Sequence, residues 1–343
     1  MSRFRCVSIV LAGALLLAGP LSAAPLQKEQ VSAKAKWLVH ADVKAFLASK
    51  TGAFVLEQLK AKGLGVVFDN IREVFALDVT KDLASVTVYG TRFGEQPAII
   101  LIRAAMDRDR LLQIYQSNET YRELKYAGHT VHQWTDNPQA DTPGPTKYGA
   151  FHGNDLAIMT EDVRLAQLAL DVLDKKVASL AARRGAKPPS LPAKDTFLTA
   201  FLTEVPPLAK GKPEGAILAK IASGRVEAGE SKDRLRVHVA LTAKTAKMAS
   251  NLRKIAEGIL ALIDLASPEQ EGAPPAAGAD RVIFQDATIP AELVAVLEHV
   301  TVSAQGRTVK VDGDIPVTSA MALLRRIINP EKAEAAEAGP AEE

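Results

Sequence analysis

Along much of the chain, apolar and polar residues alternate in short runs that end at glycine, proline or charged turns. Pairs of these runs lead into a stretch with helical periodicity. In the first such unit, "SVTVYG" and "PAIILIRA" flank "TRFGEQ", a turn carrying Gly94. Asp107 then stands where a helix N-cap is needed, ahead of Leu111, Leu112, Ile114 and Tyr115. In the second, "AKIASGRVEAG" passes through "ESKD" into "RLRVHVALTA". The helix after it puts Met248, Leu252, Ile255, Ile259, Leu262 and Ile263 on one stripe at spacings of three and four. In the third, "HVTVSA" turns at Gln305 and Gly306 into "RTVKVDGDI", and Thr318 is placed to cap a helix bearing Met321, Leu324, Ile327 and Ile328. "RLRVHVALTAKTAKMASNLRKI" and "RTVKVDGDIPVTSAMALLRRI" align with small gaps, the pattern of a diverged internal repeat.

The remaining segments fit the same scheme. "KWLVHADV" reads as a strand entering a helix capped by Asp42, with Phe46, Leu47, Phe54 and Leu59 inward and Gly63 near its exit. "YAGHTVHQW" and "KYGAFHGNDLAIMTED" read as further strands. A helix follows with Leu165, Leu168, Ala169, Val172 and Leu173 on one face. Short turns pair strands antiparallel, and helices with one apolar stripe must cover a sheet face. The expected class is α+β: antiparallel sheets with helices packed on one face, built from strand-turn-strand-helix units. Two regions are expected, an N-terminal α+β domain over 36–180 and a C-terminal one over 195–330 containing the repeat. Between them, "RRGAKPPSLPAK" over 183–194 has linker composition. "SPEQEGAPPAAGAD" over 267–280 reads as a surface loop and residues 331–343 as a disordered tail.

The N-terminus changes the picture of where such a fold works. Arg3 and Arg5 precede an uncharged, mainly apolar core from Cys6 to Gly19, and Pro20 to Ala24 ends in small residues. This is the layout of a secretory signal peptide over 1–23, with cleavage expected after Ala23 and after Ala24 as the alternative. A core of 14 residues is short of the roughly 20 that cross a bilayer, so a retained anchor is the lesser reading, and no later segment has the length and apolarity to span. The one cysteine, Cys6, lies inside this segment, so the mature chain is expected to have no disulfide, thiolate metal site or cysteine nucleophile. Losing residues 1–23 removes two arginines and no acid, leaving 40 basic and 40 acidic side chains. That balance argues against a nucleic-acid partner, which requires a basic excess.

Candidate chemistry centres on "YAGHTVHQW". In a strand His129 and His132, three apart, point to opposite faces, so only one of them can share a side with His152. We pair His132 with His152, with Trp134 on the face of His132, and add Tyr148 as an aromatic contact beside Gly149. These four, His132, Trp134, Tyr148 and His152, are the expected binding residues. The simpler alternative is half-buried strand histidines hydrogen-bonded to neighbours, and glycines at Gly90 and Gly149 that let an aromatic lie across the adjacent strand. No G-x-S-x-G elbow, phosphate-cradling loop or dinucleotide fingerprint is present in the mature sequence. The "DRDR" run from Asp107 reads as a helix start, "VDGD" near Asp312 as a turn or strand end, and Asn118-Glu119-Thr120 as a glycosylation pattern. No catalytic residue, metal site or cofactor is expected.

The runs "WLVHADVKAF", "DLASVTVYGTRF", "YAGHTVHQW", "YGAFHG" and "VRLAQLALDVLDKK", over roughly residues 36–180, resemble a family of uncharacterised exported bacterial proteins. The resemblance implies an envelope or secreted location and assigns neither activity nor site residues. The expectation is a non-enzymatic binding or scaffold protein of the periplasm or cell surface, its partner an unknown envelope protein or ligand. The competing expectations are a metal-dependent hydrolase using His132 and His152 with a carboxylate, and a carrier of apolar ligands.

Overall fold

The computed structural model of the protein describes residues 24–93, 97–140, 142–183, 191, 195–204, 219–265 and 290–329. The expected signal segment, the 267–280 loop, the tail and most of the 183–194 linker lie outside the described residues. The first half runs β1 (Trp37–Asp42), α1 (Val43–Ala48), α2 (Lys50–Leu59), α3 (Gly65–Phe75), β2 (Leu83–Gly90), β3 (Ile99–Ala104) and α4 (Arg108–Gln116). It continues with β4 (Arg122–Tyr126), β5 (His129–Thr135), β6 (Thr146–His152), β7 (Leu156–Thr160) and α5 (Val163–Leu173). The second half is β8 (Thr196–Leu202), β9 (Ile221–Ser231), β10 (Arg234–Ala243), α6 (Ala246–Leu265), α7 (Ala291–Leu297), β11 (Val300–Gln305), β12 (Thr308–Pro316) and α8 (Val317–Ile328).

The twelve strands form one sheet in the order β11-β12-β10-β9-β8-β1-β2-β3-β7-β6-β5-β4, and the pairings are antiparallel. The α+β class is as the alternation predicts. The two halves share the sheet: β1 pairs with β2 on one side and with β8 on the other, Trp37 opposite Leu202 and Val39 opposite Ala200.

Strand alternation divides the core into two layers. Val86, Val88, Ile100 and Ile102 pack with Val43, Leu47, Leu56 and Phe68 of α1–α3 on one face. Tyr89, Ile99, Leu101 and Ile158 pack with Ala166, Ala169 and Leu170 of α5 on the other, together with Val31 and Ala35 ahead of β1. Strand β2 is therefore buried along its whole length. Helices α1–α4, α6 and α8 share one face, as expected, and α5 is the exception. It follows the β6–β7 hairpin, where the opposite face presents Val131, Ala150, Leu156 and Ile158 as its apolar side.

Caps follow local chemistry where a short polar side chain precedes the helix. Asp42 accepts from the Ala45 amide and Asp107 from the Arg110 amide, as predicted. Thr318 does not cap α8; Pro316 holds the N-cap position without a side-chain bond. Gly63, at φ 81°, kinks the helical path just past the end of α2, near where its exit is expected, and the chain re-enters a helix at once in α3. Asp312 and Gly313 are not a turn: both lie inside β12, opposite His238 and Val237. The stripe on α6 is split. Ala249 and Leu252 are buried against Ile221, Ala243 and Val309, whereas Ile255, Ile259 and Leu262 stand in solvent. Twenty residues make a helix about 30 Å long, and only its first part lies over β10–β12.

Candidate functional site

Strand β5 separates the two histidines of "HTVH". His132 faces α4 together with Trp134. The Trp134 indole stacks on Tyr115 with centroids 4.4 Å apart, and the His132 ring lies near Tyr121 and Phe151. The Tyr121 hydroxyl donates to Glu123 at 3.0 Å, which leaves its oxygen to accept from His132 Nδ1 at 2.8 Å. Burial pulls the His132 pKa below the ordinary imidazole value, opposed by the Glu123 charge. Arg108 lies over the Phe151 ring at 5.0 Å. Two of the expected binding residues are thus brought together, with Tyr115 and Tyr121 added.

Tyr148 and His152 are not in this group. Register pairs His132 with Gly149 and Val131 with Ala150, so the same register carried outward sets His129, not His132, opposite His152. The His132–His152 pairing is corrected on this ground. Tyr148 packs at the edge of the α5-side core. Gly149 lets the Trp134 ring approach, as a Cβ there would meet it at 3.1 Å.

The second cluster was missed because hairpin register cannot be read from spacing within one strand. The His129 and His152 rings lie 5.8 Å apart and both approach Asp174, the residue that closes α5. His129 Nε2 is 3.0 and 3.1 Å from the two carboxylate oxygens, and His152 Nε2 is 3.4 Å from Oδ1. Lys176 Nζ sits 2.8 Å from Oδ2. The Lys176 ammonium and the His129 N–H hold the Asp174 carboxyl down at about 2. With that ammonium on it, the carboxylate already has its cation. Among the described residues, no group of three or more His, Cys, Asp or Glu side chains is arranged to hold a metal ion.

A third polar feature crosses the sheet. Thr87, His40, Thr199, Glu227, His238 and Asp312 are register partners from strand to strand, all on the face that carries α5. The first five are buried, Glu227 completely. They satisfy one another and near neighbours: His40 Nδ1 lies 2.8 Å from the Thr87 hydroxyl, His238 bonds Asp312, and Arg225 pairs with Glu227. Burial drives the His40 pKa down to about 4. A one-residue slip of any of these strands would turn its polar member into the apolar layer on the other face. The row therefore pins register.

The outer part of α6 carries exposed apolar side chains. Ile255, Ile259 and Leu262 are 40%, 53% and 53% exposed at spacings of four and three along the outer part of α6, one continuous stripe. None of the helices among the described residues is long and apolar enough to cross a membrane. No protein-family model matches the sequence, and no curated protein matches it. The chain is similar in shape to solved crystal forms I, III and IV of TP0453, at 8% identity and TM-scores of 0.40, 0.42 and 0.43, covering 88–90% of this chain and 97–99% of those.

Proposed function

We propose that the protein is an exported, non-enzymatic binding or scaffold module of the periplasm or cell surface, and that it engages a partner protein through the outer part of α6. The observation that carries the reading is the Ile255–Ile259–Leu262 stripe, exposed on a helix whose base is anchored at Ala249 and Leu252. Single exposed apolar residues are ordinary, but a contiguous row on a rigid element is the geometry of a helix laid against a partner. The N-terminal pattern of basic residues, apolar core and small residues supports export. The hydrolase alternative needs His132 and His152 on one side of the sheet, and β5 and β6 hold them on opposite sides.

The test places a photo-crosslinking residue at Ile259 and, as a control, at Gln113 on α4, in the host cell. A discrete adduct from position 259 and none from 113 is the expected result. Equal labelling at both positions, or none from 259 in a folded chain, overturns the proposed contact. Ile259→Lys should weaken capture of that same adduct partner by 10-fold or more, on the order of the 1–2 kcal/mol that a buried aliphatic contact contributes.

A further inference from the structure

The segment that follows Ala23 is built into the sheet. Leu26, Val31 and Ala35 join the α5-side core, and the Lys36 amide donates to the Gly90 carbonyl at 2.8 Å. At its head, the Ala24 N–H donates to Asp42 Oδ2 at 2.6 Å, and the Ala24 carbonyl lies 3.2 Å from His40 Nε2. Asp42 is 0% exposed. Its other oxygen accepts from the Ala45 amide to cap α1. Among the described residues no Lys, Arg or His forms an ion pair with it, so a buried carboxylate is held by two amide donors alone. Burial accordingly pushes the Asp42 carboxyl up, against the pull of those amides and of the Lys44 charge. A buried anion of this kind is one cation short.

The sequence supplies that cation at the same atom. Hydrolysis of the Ala23–Ala24 bond adds the hydroxyl of water to the Ala23 carbonyl carbon, which leaves as a carboxylate, and the Ala24 nitrogen takes up protons to become an ammonium. We propose that Asp42 is the acceptor site for the mature amino terminus: cleavage after Ala23 by a signal endopeptidase turns the Ala24–Asp42 hydrogen bond into a buried ion pair that locks the N-terminal segment onto β1 and α1. The inference rests on the export reading above. It also selects the bond, since cleavage after Ala24 would remove the nitrogen that reaches Asp42. Ala24 opens on a surface cleft of about 560 Å³, so the new terminus forms at an accessible place.

The groups facing the pair are His40 on β1, Lys44 on α1, and Lys81, Asp82, Arg103 and Asp155 around the cleft. His40 is neutral above about pH 4. An ammonium paired with a buried carboxylate has its pKa raised above the ordinary value of about 8 for a chain terminus. Its stabilisation is therefore complete below about pH 8 and is lost as pH rises through the folded value.

The test begins with the N-terminal mass of the chain recovered from the envelope fraction, expected to start at Ala24. Thermal unfolding of that processed chain is then compared with the same chain acetylated at its α-amine, at pH 7 and pH 10.5. Acetylation should lower Tm by about 2–5 °C at pH 7 and change little at pH 10.5. In Asp42→Asn, acetylation should have no effect at either pH. Equal Tm for free and acetylated chains at pH 7 overturns the proposal, as does a processed chain that begins at another residue, and both leave export standing. Recovery of chains that keep residues 1–23 sinks the export reading and the proposal with it.

Discussion

Gly90 and Trp37 show how one residue's missing atom sets another's place. The Trp37 ring lies across Gly90, its Nε1 donating to the Arg92 carbonyl at 2.9 Å, and a Cβ on Gly90 would sit 2.4 Å from that nitrogen. Gly90→Ala should destabilise the fold by about 1–3 kcal/mol in urea unfolding. Gly65→Ala, at the head of α3 with helical φ and nothing within 4 Å, should instead leave stability unchanged or raise it by roughly 0.5 kcal/mol. His40 adds a pH dependence. An unfolded chain protonates this imidazole below pH 6.5, but the folded chain does so only near pH 4, so stability present above 6.5 is lost as pH falls through that window. The loss is on the order of 3 kcal/mol at full titration. Urea midpoints at pH 7 and 4.5 measure it, and His40→Gln should flatten the difference. Alternation alone was enough to put His129 and His132 on opposite faces. Which of them meets His152 depends on how β5 and β6 align, and the close approach of the Trp134 ring to Gly149 that this alignment brings is not visible in one strand's spacing.

Elements were legible where a cap or a stripe is local, and obscure where the partner comes from far along the chain. Asp42 and Asp107 announce α1 and α4 because their acceptors lie three residues from their donors. The start of α2 is different. Ser49 accepts from the Gly52 amide, but the Lys50 and Thr51 amides donate to the two oxygens of Glu230 on β9, at 2.7 and 2.9 Å. A carboxylate at a helix N-terminus also complements the macrodipole. Glu230→Ala should lower stability by about 1–2 kcal/mol, more than Asp107→Ala at roughly 1 kcal/mol on the exposed start of α4. Denaturant midpoints of the two variants side by side check the ranking. On α6 the periodicity gave the stripe correctly. It carried no information on where the sheet beneath stops, so Ile259 looks the same in sequence as Leu252.

At the scale of the molecule, the strand content and antiparallel class follow from local patterns, whereas the single sheet does not. Its decisive seam joins β1 to β8, Trp37 to Leu202 and Ala41 to Leu198, and pairing between residues so distant leaves no mark in any window of sequence. The polar row that runs through this seam, His40 beside Thr199 and Thr199 beside Glu227, fixes the halves in one alignment. Fluorescence of Trp37 and Trp134 in the first half, and of a dye at residue 310 on β12, should therefore report one urea transition with a common midpoint. Separate midpoints would show that the halves unfold independently. The seam also has a timetable. Strand β1 is made some 160 positions before its second neighbour β8, and until β8 arrives an interior strand stands bare along one side. Loops of that length close slowly, and an uncovered edge recruits whatever chain is nearest. Refolding yield should therefore drop steeply as protein concentration rises. Separately added β8 peptide, supplied in excess early in refolding, should compete for the vacant side and slow the arrival of the native state.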